Sequence, residues 1–252
     1  MTTQPAHYVQ QNQPDGVPPL ELTGERTLPD VPEENYWYQR HLVVYEWIRE
    51  RVAGQKVIDM ASGEGYGANV LAQAAREVVG VEANPEAFTH AVARYPKVRF
   101  ERSLVETYGE DADAVTFLQT IEHVQDPGAV LENFKRSAPA AYVSTPNVKT
   151  LAPEGAERSG NPWHIKEYQL HEFRELCEAH YDEVEVYGLY HARKLLVHEK
   201  AIKKAAWDDI HAKLGITKRF YDWFVPAITV RDFVLRPADD GALDFLAVCR
   251  SR

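Results

Sequence analysis

Lys56-Val-Ile-Asp-Met-Ala-Ser-Gly-Glu-Gly-Tyr-Gly-Ala68 is the stretch on which the fold turns. It reads as a buried strand ending at Met60, a glycine turn, and a helix that opens near Tyr66 and runs through Ala75. A strand that turns on glycines into a helix lets backbone N–H groups and the positive helix end approach a ligand with no Cβ in between. That is a cradle for a nucleotide-like cofactor. Gly63-x-Gly65-x-x-Ala68 also satisfies the dinucleotide pattern, so the turn alone leaves the cofactor open.

Outward from the turn, a second apolar run, Val78-Val79-Gly80-Val81, ends on Glu82, twenty-three residues after Asp59. A carboxylate at the tip of the second strand can accept from both hydroxyls of a ribose diol. Asn84-Pro85-Glu86 starts a helix with Asn as cap and Pro at its first position. Val98 to Glu101 is a third strand, and Ala114 to Leu118 a fourth that is apolar enough to be buried on both faces. Asp126-Pro127 opens a helix through Arg136, and Ala141 to Ser144 is a fifth strand ending in Thr145-Pro146-Asn147. Tyr168 to Tyr181 holds a helix with Leu170, Phe173, Leu176 and Cys177 on one face; Glu183 to Leu189 alternates, and Leu243 to Val248 is a last apolar strand. Strands alternating with helices predict an α/β, doubly wound, mostly parallel sheet with its ligand at the carboxyl ends of the strands.

The chain has 252 residues, 44% of them apolar and 26% charged, which fits one large α/β domain or two small ones. No apolar run approaches the ~18 to 20 residues of a membrane span, and the N-terminus lacks the pattern of a signal peptide, so a cytoplasmic location is expected. A net charge of −10 repels polyphosphate, arguing against nucleic acid and for an uncharged acceptor such as a sugar. Cys177 and Cys249 have no metal-ligand spacing and read as buried small apolar residues.

Residues 1–20, rich in Gln and Pro, are expected to be a disordered tail, and 21–252 a single domain. Within it, 21–55 is an N-terminal cap, 56–190 the cofactor-binding core, 191–240 an insertion and 241–252 the last strand. Leu22 to Pro29 reads as a loop, with a lid as the alternative. From Glu33 to Val52 the residues Tyr36, Trp37, His41, Val44, Tyr45, Trp47 and Ile48 recur at helical spacing, as in a core-packing helix. The insertion predicts a helix from roughly Glu199 to Leu214 and the aromatic run Phe220-Tyr-Asp-Trp-Phe224; it covers the acceptor or makes an oligomer contact, a homodimer being the expected assembly if the protein associates at all.

Two features choose the cofactor: Asp59 stands before the glycines in Asp-x-Ala-x-Gly-x-Gly, and Ile121-Glu122-His123-Val124-Gln125-Asp126-Pro127 follows the fourth strand. From about Glu21 onward the chain resembles class I S-adenosylmethionine-dependent methyltransferases. The resemblance implies a seven-stranded sheet with an antiparallel last strand, and a helical cap that brings Tyr36, Tyr38, Arg40 or His41 to the pocket. It also implies a cofactor-binding set of Asp59, Ala61, Ser62, Gly63, Gly65, Glu82, Ala83, Ser103, Leu104 and Gln119. Here Ser62, Gly63 and Gly65 cradle the methionine part, Glu82 holds the ribose, and Ser103-Leu104 flank the adenine where the family usually has Asp. A wider likeness is to actinobacterial methyltransferases encoded with methylglucose lipopolysaccharide biosynthesis. It is carried by Leu22-Thr-Gly-Glu-Arg-Thr, Glu34-Asn-Tyr-Trp, Gly63-Glu-Gly-Tyr-Gly-Ala, Ser144-Thr-Pro-Asn, Asn161-Pro-x-His164 and Gly188-Leu-Tyr-His191. It implies O-methylation of a sugar or glycan precursor.

Transfer to a hydroxyl requires a base or a metal. His123, His164 and Glu122 are the catalytic candidates, and Trp163, Tyr190, Arg193 and Lys194 a candidate sugar platform. Gln119-x-x-Glu122-His123 with His164 further resembles the Glu-x-x-Glu-His and later His that hold a divalent ion in small-RNA 2′-O-methyltransferases; ubiquinone O-methyltransferases carry a similar group. This implies an Mg²⁺ site at Gln119, Glu122, His123 and His164, with an amide where the first Glu stands; alternatively, Gln119 hydrogen-bonds the cofactor. Competing readings are a methyltransferase of an aromatic or polyketide-like metabolite, an NAD-linked oxidoreductase and a non-catalytic cofactor-binding module.

Overall fold

The computed structural model describes residues 10, 12–22, 24, 26–153, 155–205 and 217–252. The glycine stretch supplies β1, Lys56–Met60, whose last four residues are buried. Around it β2 (Glu77–Val81), β3 (Arg99–Glu101), β4 (Ala114–Leu118), β5 (Ala140–Pro146), β6 (Glu183–His191), β7 (Phe233–Pro237) and β8 (Asp244–Arg250) form one sheet of order β3-β2-β1-β4-β5-β8-β6-β7. β1 to β5 run parallel, with Val57 opposite both Val78 and Ala114. β8 is antiparallel to both β5 and β6.

Unbroken apolar strands mean cover on both faces, and β4 is buried at every position. On one face Ile58, Phe117 and Val143 pack with Leu131 and Phe134 of α4 (Pro127–Ser137) and Phe173 of α6 (Leu170–Glu178). On the other, Val57, Val78 and Tyr142 pack with Val44 and Ile48 of α1 (Asn35–Arg49), Leu71 of α2 (Tyr66–Leu71) and Ala91 of α3 (Pro85–Arg94). Gly65 of the turn and Gly67 in the first turn of α2 are sterically required. A Cβ on Gly65, at φ +97°, would lie 2.9 Å from the Ala91 Cβ, and one on Gly67 would run into the Tyr45 ring.

Several boundaries differ from expectation. The sheet has eight strands, not seven: β7 arises inside the 191–240 insertion and pairs antiparallel with β6 at the edge. Its Phe-Val-Leu-Arg-Pro is short and ends on a proline that only an edge tolerates, so it carries no clear strand signal. α2 stops at Leu71 rather than Ala75 because Gly54 N–H donates to the Ala74 carbonyl and Arg76 N–H to Gln55, turning the chain toward β2. α5 (Val148–Leu151) is a further short helix. In the insertion α7 spans Arg193–Ala205, starting before the expected Glu199, and α8 spans Thr217–Phe224; residues 206–214 of the expected helix lie outside the described residues.

Of the expected tail, residues 1–9 and 11 lie outside the description. By Pro18 the chain is packed: its carbonyl faces His90 Nδ1 at 2.6 Å, and Leu20 joins Leu28 and Val31 in a small core. Asp30 receives Arg94 of α3 at 2.5 Å.

α1 is tied to β8 by a buried ion pair. The Arg40 Nε donates to Asp244 Oδ2 at 2.6 Å, and Nη2 donates to Oδ1 at 2.5 Å and to the Leu243 carbonyl at 2.9 Å. Removing one member leaves the other charge buried and unpaired. Arg40→Ala should therefore cost about 3 to 5 kcal/mol in urea denaturation. A cost below about 1 kcal/mol, as for a surface pair, would show that the pair is not structural.

Candidate active site

A cavity of about 530 Å³ opens at the carboxyl ends of β1, β4 and β5, within the size range of ligand pockets (about 300 to 1,000 Å³). This is where the strand order reverses between β1 and β4, the usual ligand crevice of an open α/β sheet. Ala61, Ser62 and Gly63 line it from the turn, Leu118 and Gln119 from the end of β4, and Ser144 and Pro146 from β5. The cap adds Glu34, Trp37, His41 and Tyr45. The segment read as a loop or lid adds Gly24, Arg26 and Thr27; its Thr23 and Glu25 lie outside the described residues.

Two of the lining residues are left-handed without being glycine: Ala61 at φ +55° and Gln119 at φ +53°. Such backbone costs about 1 to 3 kcal/mol per residue and persists only where its surroundings impose it, commonly at ligand clamps. Gln119 is pinned by Ser144, whose carbonyl and Oγ both accept from its backbone N–H at 3.1 Å and whose Oγ accepts from its amide. Glu82, at the tip of β2, laces the turn: Oε2 accepts from Gly63 N–H and Oε1 from Asn84 N–H, both at 2.8 Å. Ala83 follows it, and Ser103 and Leu104 follow β3; Leu104 is 57% exposed. Asp59, Gly65, Glu82, Ala83, Ser103 and Leu104 stand outside the enclosed wall.

Asp59 is fully buried behind that wall. Its Oδ1 accepts from Thr116 Oγ1 at 2.6 Å and from the Tyr45 hydroxyl at 3.3 Å, while Oδ2 has no partner among the described residues. Burial pushes its pKa up to about 7 against those two hydrogen bonds. Sequence reasoning did not pick Glu64, which is also buried in the turn; it accepts from Tyr66 N–H and the Tyr95 hydroxyl at 3.0 Å and faces His90 Nε2 at 3.1 Å.

At the other end of the cavity Glu122, His123 and His164 come together, with one potential ligand atom of each lying within 4.8 Å of the others. Glu122 and His123 share the 3₁₀ turn Ile121–His123 after β4. The loop carrying His164 is fastened to that turn, since Ile165 and Lys166 N–H both donate to the Glu122 carbonyl. His123 Nδ1 donates to the Trp163 carbonyl at 2.8 Å, which leaves Nε2 as the basic nitrogen of the neutral ring, 4.0 Å from Glu122 Oε1. His164 Nδ1 donates to Glu167 at 2.7 Å, and its Nε2 accepts from the Asn161 amide at 3.0 Å. Glu122 Oε2 is buried without a partner among the described residues, and burial raises the acid to about 8.

Asp244, which lines the cavity, also escaped sequence reasoning; a carboxylate inside the apolar run Leu243 to Val248 was the available signal. His41 borders the cavity as expected, and burial lowers it to about 4. Of the other cap candidates, Arg40 holds Asp244, Tyr36 bonds His191 Nε2 at 2.8 Å and Tyr38 packs edge-on to Tyr66. The expected sugar platform does not assemble. Tyr190 is buried, with Arg236 over its ring and its hydroxyl accepting from Asp239 N–H, and Arg193 and Lys194 border a separate hollow with Thr229 to Asp232.

A family profile described as a methyltransferase domain matches residues 36–182. The chain is also 36% identical to a probable S-adenosylmethionine-dependent methyltransferase of Mycolicibacterium smegmatis, over 93% of this chain and 97% of that one. It belongs to the class I S-adenosylmethionine-dependent methyltransferases. A protein of Mycobacterium tuberculosis with the same description is 38% identical over 70% of this chain and 66% of its own length. Ubiquinone biosynthesis O-methyltransferases, such as that of Pseudomonas fluorescens, match at 34% identity over only 34% of this chain and 41% of theirs. Among solved structures, an S-adenosylmethionine-dependent methyltransferase of Thermotoga maritima, described as a possible histamine N-methyltransferase, shares the fold with a TM-score of 0.60 at 14% identity, covering 88% of this chain and 96% of that one. S-adenosylmethionine is the family's cofactor, and the strained wall residues Ala61 and Gln119 beside the glycine turn fit it.

Asp59 makes stability depend on pH. Its folded pKa, about 7, lies above the unfolded value near 3.8, so its contribution is present below about 3.8 and lost as pH rises through 7. Asp59→Asn should gain stability relative to wild type across that window, by up to a few kcal/mol, at about 1.4 kcal/mol for each pH unit between the two values. Parallel stability curves for the two proteins between pH 4 and 8 would contradict the raised pKa.

Proposed function

We propose that this methyltransferase acts on a hydroxyl of a sugar or glycan-type acceptor. The observation that carries the reading is the Glu122–His123–His164 cluster, which shares one cavity with the glycine turn. The bound cofactor supplies a methyl group on a positive sulfonium, already activated for displacement. Ala61, Ser62, Gly63 and Gln119 of the cavity wall would hold its methionine part, and Glu82, Ala83, Ser103 and Leu104, beyond that wall at the ends of β2 and β3, would hold the ribose and the adenine side, with Gly65 and the buried Asp59 shaping the turn from behind.

A sugar hydroxyl titrates far above neutrality, so its proton must be taken as the bond to carbon forms. His123 Nε2 is the base, since its Nδ1 is committed to Trp163, and His164, oriented by Glu167, supports the same end of the cavity. Glu34 offers oxygens to hydroxyls, and Trp37, 38% exposed, offers a ring face to a sugar. The net charge of −10 favours an uncharged acceptor, and the sequence likeness to methyltransferases of methylglucose lipopolysaccharide biosynthesis supports the same class. The ubiquinone O-methyltransferase matches favour a second reading, a phenolic acceptor, over a shorter stretch.

The cluster would also hold a cation through Glu122 Oε2, buried with no partner among the described residues, and His123 Nε2, with His164 Nε2 joining once it releases the Asn161 amide. Two imidazoles and one carboxylate suit zinc better than Mg²⁺, which asks for an oxygen shell. Gln119, expected as a fourth ligand, donates its amide N–H to Ser144.

Transfer of labelled methyl from S-adenosylmethionine into a fractionated extract, with and without EDTA, tests these readings. Label is expected in an O-methyl sugar. Label in an aromatic product instead would overturn the sugar reading, and activity unchanged by EDTA would remove the cation.

A further inference from the structure

The insertion carries a surface outside the cavity, none of whose lining among the described residues comes from 193–224. Leu195 of α7 is buried, together with Phe224 of α8, in the core on the α1 side of the sheet. The other side of both helices is turned outward. Leu196 and Val197 are 38% and 68% exposed, and Phe220 and Trp223 are 38% and 71% exposed. His198 stacks on Phe220 and Phe224, with ring centroids 5.9 and 4.9 Å apart, joining the two helices into one surface.

The charge of this segment opposes that of the molecule. Residues 193–224 contain eight Lys or Arg against four Asp or Glu, in a chain whose net charge is −10. Lys200 is exposed on α7, one turn on from Leu196 and Val197. A basic amphipathic helix with exposed Trp and aliphatic side chains is the composition of an interfacial element. Positive groups meet anionic headgroups, at about 1 kcal/mol each near the surface, and an indole settles at the headgroup level. A second copy would instead set like charges face to face.

We propose that α7 and α8 dock this enzyme on an anionic lipid bilayer. No helix among the described residues is long and apolar enough to cross a membrane, so the contact lies on the surface. The docking face adjoins the cavity, because the Asn35 side chain donates to the Val225 and Ile228 carbonyls just beyond α8, and its neighbour Glu34 lines the cavity. If the sugar reading holds, the acceptor is a lipid-carried sugar presented at the membrane; that extension rests on the proposed function, whereas the docking does not.

Sedimentation with vesicles of phosphatidylcholine alone, or with about one third phosphatidylglycerol, tests the docking. Binding to the anionic vesicles is expected to exceed binding to the neutral ones about tenfold and to fall as salt shortens the screening length. Val197→Ser/Trp223→Ser and, separately, Lys200→Glu should each weaken it severalfold while leaving affinity for S-adenosylhomocysteine unchanged, which shows that the variants are folded. Equal sedimentation with both vesicle types, variants that bind like wild type, or light scattering showing a dimer that the serine variant breaks would each overturn the proposal.

Discussion

The Arg40–Asp244 pair sets the relation of cap to sheet on which the cavity depends. Both side chains are almost fully buried, and the guanidinium also takes the Leu243 carbonyl, so α1 is fixed to the start of β8. One turn before Arg40 lies Trp37, with the guanidinium 4.9 Å from its ring, and one residue after it lies His41. The same contact therefore orients two wall residues from the cap and holds Asp244 in the wall from the sheet. A buried ion pair gives little net stability over an apolar packing, but its geometry is unforgiving, which suits a site that needs a fixed roof.

Burial moves several groups around the cavity toward their neutral forms. Glu122 rises to about 8, Asp59 to about 7, and His41 falls to about 4, each chiefly through lost hydration. Acids held in this state favour a cationic neighbour, since a positive charge nearby restores their ionised forms. The polar groups that stay hydrogen-bonded instead do positional work: Thr116 and Tyr45 hold Asp59, Ser144 holds Gln119, and Glu82 holds Gly63 and Asn84.

The strand, turn and helix at the head of the cavity were legible because their pieces are contiguous: β1, its glycine turn and β2 announce themselves within thirty residues by apolar runs and spacing. The Glu122-His123 pair was legible as a motif, and His164 through its surrounding residues, although only the fold shows that the Glu122 carbonyl fastens the two loops together. The roof was not legible, because Arg40 sits in an aromatic stripe as an ordinary surface cation would and its partner lies some two hundred residues away. β7 was missed for a local reason, its three apolar residues Phe233 to Leu235, flanked by Asp232 and Arg236, being too few to show a period, and Tyr190 was misplaced because strand parity turned it away from the cavity.

On the proposed reading, one cavity separates cofactor binding, at the glycine turn, from proton removal, at His123 and His164 beside Glu122. Calorimetric titration of S-adenosylhomocysteine into the His123→Ala/His164→Ala protein, alongside a methyl-transfer assay, tests it most directly. Affinity is predicted to stay within a few-fold of wild type while transfer falls by about 10² or more. Transfer that persists at the wild-type rate, or affinity that collapses along with it, would contradict the account.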